Sequence, residues 1–237
     1  MTDLVSGSTH PVKSTRNQTG QLFSRPSPPT EAGLASGLHS LGLESERDGL
    51  IYVPKNYQPG SPAPLVLMLH GAGGDAERAL RILAGLADDY GLLLLAVESR
   101  GRTWDVIIRS YGPDIAAIDR ALEQTFRRYA VDAGRVAIAG FSDGASYALS
   151  VGITNGDLFT HVIAFSPGFM VPATQQGEPR IFISHGTGDP VLPIDRCSRK
   201  IVPQLQQAGY DTRYREFEGG HIVPADLSRE AMTWLTT

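Results

Sequence analysis

Arg135-Val-Ala-Ile-Ala-Gly140-Phe-Ser142-Asp-Gly144-Ala-Ser-Tyr-Ala-Leu-Ser-Val151 joins a short apolar run to a helix-forming stretch through a five-residue turn. The run over 135–139 has no polar alternation, the mark of a strand buried on both faces. The spacing after the turn predicts a helix over about 145–154. The pentapeptide G-x-S-x-G recurs by chance, and a serine in an ordinary glycine-rich turn would satisfy it. Set between a buried strand and a helix it has a sharper meaning. Its serine must sit in a strained turn that lifts the hydroxyl above the sheet, and the glycines two residues either side relieve chain crowding.

Outward from this unit the same alternation continues. Leu65–Leu69 and Leu92–Val97 are further buried runs, each followed by a helical stretch, at Ala76–Tyr90 and about Asp114–Tyr129. Gly91 ends the first helix. Downstream come strands at Val162–Phe165, Arg180–Ser184 and Thr212–Phe217, with helices at Asp195–Ala208 and Pro224–Leu235. Two short strands, Leu38–Leu43 and Leu50–Val53, precede them all. Strands alternating with helices of this length require crossover connections. The predicted fold is therefore α/β, a doubly wound and mostly parallel sheet without a separate lid domain.

Half of residues 1–37 are Ser, Thr, Pro or Gly. Such a stretch buries too little apolar surface to offset its ordering entropy, so residues 1–37 are expected to be flexible or draped on the surface. Gln21-Leu22-Phe23 could add a short edge strand. Residues 38–237 form the predicted folded domain. With 41% hydrophobic and 19% charged residues the chain can bury a proper core, and its net charge of −4, without a Lys/Arg cluster, argues against nucleic acid as a partner. Cys197 is the one cysteine, so neither an internal disulfide nor a cysteine metal site can form. No apolar run reaches membrane-spanning length, and the N-terminus has no secretory-signal core, so a cytoplasmic protein without membrane insertion is expected. Oligomeric state is not legible.

In a doubly wound sheet, ligands bind beyond the carboxyl ends of the strands. A serine there needs a base to take its proton and an acid to hold that base in the right tautomer. Of six histidines, His221 in Glu218-Gly-Gly-His221 follows the last strand, where glycines let the loop fold back over Ser142. His185 precedes every acid in its own loop and is set aside. The acid is Asp189 in His185-Gly-Thr-Gly-Asp189-Pro-Val-Leu-Pro193, with Asp195 as second choice although it reads better as a helix N-terminal residue. The oxyanion of acyl transfer requires two aimed N–H groups. Ala72, in His70-Gly-Ala-Gly-Gly-Asp75, and Asp143, next after the serine, supply them.

The same loop also reads as Gly71-x-Gly73-x-x-Ala76 followed by Glu98 at the next strand end, a dinucleotide fingerprint that would make the chain an oxidoreductase. His70 stands where that fingerprint wants a small or apolar residue, and the serine, Asp189 and His221 motifs would go unexplained.

Taken together, the four ordered motifs resemble the α/β-hydrolase superfamily and, within it, the small lid-less phospholipase/carboxylesterase group that includes acyl-protein thioesterases, over roughly residues 48–235. The resemblance implies Ser142 as nucleophile, Asp189 as acid, His221 as base, and Ala72 and Asp143 as oxyanion donors. It implies a cofactor-free, metal-free serine carboxylesterase acting on small-molecule esters of short acyl chain. A (lyso)phospholipase, a thioesterase, an aromatic or polyester ester hydrolase, and an inactive hydrolase-fold binding protein are the alternatives. Asp143 stands where the thioesterases carry Gln, which weakens that carry-over. Thr103-Trp104-Asp105 looks more like the aromatic-ester and polyester relatives, with Trp104 walling the pocket or sitting half-buried in a loop. Phe141, Val191, Leu192 and Ile222 are further pocket candidates.

Overall fold

A computed structural model describes residues 19–237; the N-terminal reading for residues 1–18 lies outside the described residues. The strands are β1 (Gly37–Ser40), β2 (Leu50–Val53), β3 (Ala63–Leu69), β4 (Leu93–Val97), β5 (Val131–Phe141), β6 (His161–Phe165), β7 (Arg180–Gly186) and β8 (Thr212–Phe217). They form one sheet in the order β1-β2-β4-β3-β5-β6-β7-β8. β2 pairs antiparallel with both β1 and β4, and every other neighbouring pair is parallel, in the α/β-hydrolase arrangement. All five residues of β4 and all seven of β3 are buried, which is why both read as unbroken apolar runs.

The helices are α1 (Ala76–Arg81), α2 (Ala84–Tyr90), α3 (Asp105–Ile108), α4 (Pro113–Arg128), α5 (Asp143–Thr154), α6 (Ser198–Gln207) and α7 (Ala225–Thr236). α4, α5 and α6 pack on one face of the sheet, while α1, α2 and α7 pack on the other. The helix expected over 76–90 is two helices, because the chain breaks at Ile82-Leu83 before resuming; Gly91 ends the second in the left-handed region at φ 64°. The helix expected from Asp195 opens as a 3₁₀ turn over Ile194–Arg196 and starts again after Cys197. Gln21–Phe23 forms no strand. Leu22 is nonetheless buried, and its N–H donates to Asn155 Oδ1 at 2.7 Å.

α5 is buried along almost its whole length. A helix apolar all round belongs in a core, and its hydroxyls must then find partners. Ser146, Ser150 and Thr154 lie four residues apart, and each donates to the carbonyl four residues before it. Each also accepts a backbone N–H from the loop after β6, those of Gly168, Val171 and Ala173. This ladder ties the loop along the helix that begins at Ser142. Gly152 lets α5 approach the sheet, since a Cβ there would lie 2.5 Å from Val162 Cγ2.

No described helix is long and apolar enough to cross a membrane.

Candidate active site

The parallel strands β3, β4, β5, β7 and β8 end on one edge, and the loops that leave them bring the candidate site together. Ser142 sits between β5 and α5 at φ 58° and ψ −121°, a region that L-residues avoid. Its N–H donates to Phe165 O at 2.9 Å, which pins the turn to the next strand. The flanking glycines are sterically required. A Cβ on Gly140 would fall 2.2 Å from Gly144 O, and one on Gly144 would fall 2.3 Å from Leu69 O.

The structure brings Ser142, His221 and Asp189 together. Ser142 Oγ lies 2.9 Å from His221 Nε2, and His221 Nδ1 lies 2.6 Å from Asp189 Oδ2. A carboxylate only accepts, so Nδ1 carries the proton and Nε2 is free to accept from the serine hydroxyl. The loops bearing acid and base are bound to each other: Thr187 N–H donates to Phe217 O and Gly188 N–H to Gly219 O. Gly186 permits that approach, because a Cβ there would meet Gly220 O at 2.4 Å. Phe141 packs on the His221 ring with centroids 4.6 Å apart.

Asp189 is buried, which pushes its pKa up. N–H donation from Leu192, the His221 imidazole and the N–H of Val191 together outweigh burial and hold the carboxyl below its ordinary range. Asp195, the second choice for the acid, instead pairs with Arg199 at 2.8 Å, its side chain largely in solvent.

Ala72 and Asp143 are the donors expected for the oxyanion. Among the described residues neither N–H has a hydrogen-bond partner, whereas the neighbouring Gly73 N–H donates to Arg102 O and Gly74 N–H to Gly71 O. The Asp143 carboxylate accepts from Thr103 Oγ1 at 2.6 Å, which joins the loop after β4 to the start of α5. The glycine-rich loop also tells against a dinucleotide. Two of its N–H groups are already bonded within the protein, and the six-residue α1 is capped by the Asp75 carboxylate, which would repel a pyrophosphate.

Trp104 requires a correction. It is fully buried and cannot wall an open pocket. Its Nε1–H donates to His70 O at 2.9 Å, and its ring lies between His70, at 4.8 Å, and Tyr147, at 4.9 Å. His70 in turn accepts from Ser99 N–H at Nε2, so its Nδ1 donates to Gly71 O at 2.7 Å. Burial lowers the His70 pKa, in keeping with a neutral ring. Trp104 and His70 are therefore the floor of the loop after β3.

Beside Ser142 and His221 lies an open cleft of about 450 Å³, lined by Gly71, Ala72, Arg78, Ile82, Phe141, His221, Ile222 and Val223 among others. Phe141 and Ile222 are thus on it. Val191 and Leu192 are not; Val191 stands 61% exposed, and the pair bear on the site through the N–H groups that they give to Asp189. Arg78, Ile82 and Val223 are lining residues that the sequence reading missed. α1 lies far in sequence from the strand-end motifs, and only the fold sets Arg78 and Ile82 on the same cleft as His221. A second hollow, of about 570 Å³, is lined by Thr103, Ile108, Arg109 and Tyr111.

A family model described as Phospholipase/Carboxylesterase matches residues 107–236, just over half of the chain. Among curated proteins, a probable feruloyl esterase C of Aspergillus flavus is 26% identical over 171 residues, covering 68% of this chain and 61% of that protein. An acetylxylan esterase of Coprinopsis cinerea is 29% identical over 208 residues, covering 82% of this chain and 51% of its own length. The chain thus spans 61% or less of these two relatives. Among solved structures, esterase PE8 superimposes with a TM-score of 0.64 at 21% identity, over 86% of this chain and 98% of that one, a likeness of fold.

Proposed function

The chain belongs to the phospholipase/carboxylesterase family of α/β hydrolases, and from that premise we propose that it hydrolyses carboxylic esters through an acyl-enzyme on Ser142. One observation carries the reading: the unbroken line from Ser142 Oγ through His221 to Asp189, with two unpartnered N–H groups beside it.

In the reaction, Ser142 Oγ attacks the ester carbonyl as His221 Nε2 takes its proton. Negative charge gathers on the carbonyl oxygen, where the N–H groups of Ala72 and Asp143 receive it. Asp189 stabilises the transient imidazolium. His221 then returns the proton to the departing alkoxide, and the alcohol leaves. Water repeats the sequence on the acyl-enzyme, releasing the acid and restoring Ser142. No step calls for a cofactor or metal.

The cleft is open, so a long acyl chain would lie partly in water and gain little of the roughly 0.8 kcal/mol available per buried methylene. Short acyl groups, of about two to six carbons, are the proposed substrates. A second reading, aryl esters such as hydroxycinnamates, is favoured by Phe141, Ile82 and Ile222 along the cleft and by the feruloyl esterase among the relatives.

Nitrophenyl esters of increasing acyl length, with a thioester and a methyl hydroxycinnamate, separate these readings. The expected profile peaks at short chains. A preference for twelve carbons or more would overturn the open-site argument, and a hydroxycinnamate turned over far faster than acetate would select the second reading.

A further inference from the structure

The carboxylate of Asp189 has four acceptor directions, and only three are filled by groups already described. Oδ1 accepts from Val191 N–H at 2.9 Å and Leu192 N–H at 2.8 Å, while Oδ2 faces His221 Nδ1 at 2.6 Å. The fourth neighbour is a second imidazole. His185 Nε2 lies 3.3 Å from Asp189 Oδ2, and both side chains are wholly shielded from solvent.

The tautomer of His185 follows from its partners. Nε2 lies 2.8 Å from Leu192 O, which can only accept, so Nε2 carries the hydrogen. Nδ1 is then bare and accepts from Ser198 Oγ at 2.7 Å. Burial lowers the His185 pKa, so the ring is a neutral donor rather than a competing cation. Leu192 closes a ring of contacts: its N–H reaches Asp189 Oδ1 while its carbonyl receives His185 Nε2–H.

We propose that His185 is a positioning residue for the triad acid: its Nε2–H, donated to Leu192 O, holds the 189–192 loop and, through that loop's N–H groups, the Asp189 carboxylate in the one orientation that receives His221 Nδ1–H. His185 moves no proton in the reaction. It acts through Asp189, and Ser198 acts through His185 by fixing the tautomer. The inference rests on the esterase reading only for its kinetic consequences; the hydrogen-bond geometry stands apart from any substrate.

The test is a double-mutant cycle in the full chain. His185→Leu removes the donor, and kcat should fall roughly 10- to 100-fold, the loss typical when a group that orients a metal ligand is removed and taken here for a group that orients the triad acid. KM should stay within about twofold. His185→Gln, whose amide N–H can reach Leu192 O, should recover most of the loss. Asp189→Asn alone should cost about 10³–10⁴-fold. In the Asp189→Asn background, His185→Leu should cost almost nothing more, because the group that it serves is gone. If the two losses multiply instead, His185 is a packing residue and the proposal fails. Should His185→Leu not fold, Ser198→Ala carries the same cycle with a smaller expected loss, about three- to tenfold, again absent beside Asp189→Asn.

A proton NMR signal for His221 Nδ1–H, displaced far downfield by its short bond to Asp189, should weaken or move upfield in His185→Leu and return in His185→Gln. That readout needs no turnover. A wild-type protein that hydrolyses no ester, yet shows this dependence, would sink the proposed function and leave the positioning role standing. An unchanged signal in His185→Leu would overturn the positioning role, whatever the activity.

Discussion

Ser142 holds a backbone conformation that its own side chain disfavours, at φ 58° and ψ −121°. Such strain costs of order 1–3 kcal/mol and persists only where the surroundings fix it. Here they are the N–H bond to Phe165 O, the start of α5, and two glycines that leave no space for any other path. Glycine adopts this region freely, so Ser142→Gly should raise the melting temperature above that of Ser142→Ala, by the equivalent of about 1 kcal/mol. Both variants should lack esterase activity. Equal melting temperatures would show that the turn stores no strain. Ser142, Asp189 and His221, which the structure brings together, could all be picked out from the sequence, because each follows a strand in a glycine-bearing loop. His185 could not. It is the next-to-last residue of β7, and its proposed role depends on Leu192 and Ser198, partners that only the folded loop brings near. The spacing His185-x-x-x-Asp189 was the one available signal. Trp104 was misread for a related reason. A tryptophan after a strand end can face solvent or the interior, and only its bond to His70 O decides which.

The loop after β3 carries Ala72, one of the two proposed oxyanion donors. Its shape is set from below, by the His70, Trp104 and Tyr147 rings, and from the side, by Gly73 N–H to Arg102 O. Ala72→Pro removes one proposed oxyanion donor and should lower kcat about 10²–10³-fold with KM little changed. Ala72→Gly keeps the N–H and should lose far less. A Pro variant that melts normally and turns over near the wild-type rate would move the donor elsewhere in the loop. Buried strands were the easiest elements to read, since β3 and β4 are apolar at every position. Helix ends were harder. The break at Ile82-Leu83 interrupts an apolar stripe that continues unbroken in sequence, and the 3₁₀ turn before α6 carries ordinary helix formers. Sequence periodicity records which face is buried, and both halves of a broken helix can bury the same face.

Across the whole molecule, two buried groups away from the triad couple folding to pH in opposite directions. His161, at the start of β6, packs edge-on against Trp234, and burial pushes its pKa down to about 4, with Arg180 and Arg135 adding to the fall. The unfolded chain takes up this proton near pH 6.5 and the folded chain does not, so the group's stabilisation is complete above 6.5 and lost progressively as pH falls toward 4. Asp114 behaves inversely. Burial raises its pKa to about 6, although Arg100 N–H donates to it, so its contribution fades as pH rises from the ordinary carboxyl value to 6. His161→Phe removes the first term alone. Relative to wild type, its stability should be more favourable at pH 4.5 than at pH 7 by about 2 kcal/mol, read from urea unfolding. No difference between the two pH values would mean that His161 is protonated in the folded protein. The sheet sets Ser142 Oγ beside His221, and the proposed reaction requires that this oxygen act as a nucleophile and become acylated. Intact-mass analysis after treatment with a fluorophosphonate, followed by peptide mapping, tests this most directly. One adduct per chain is expected, on Ser142, absent in Ser142→Ala and slowed by several orders of magnitude in His221→Ala. An unmodified wild-type chain, or an adduct on any other residue, would contradict it.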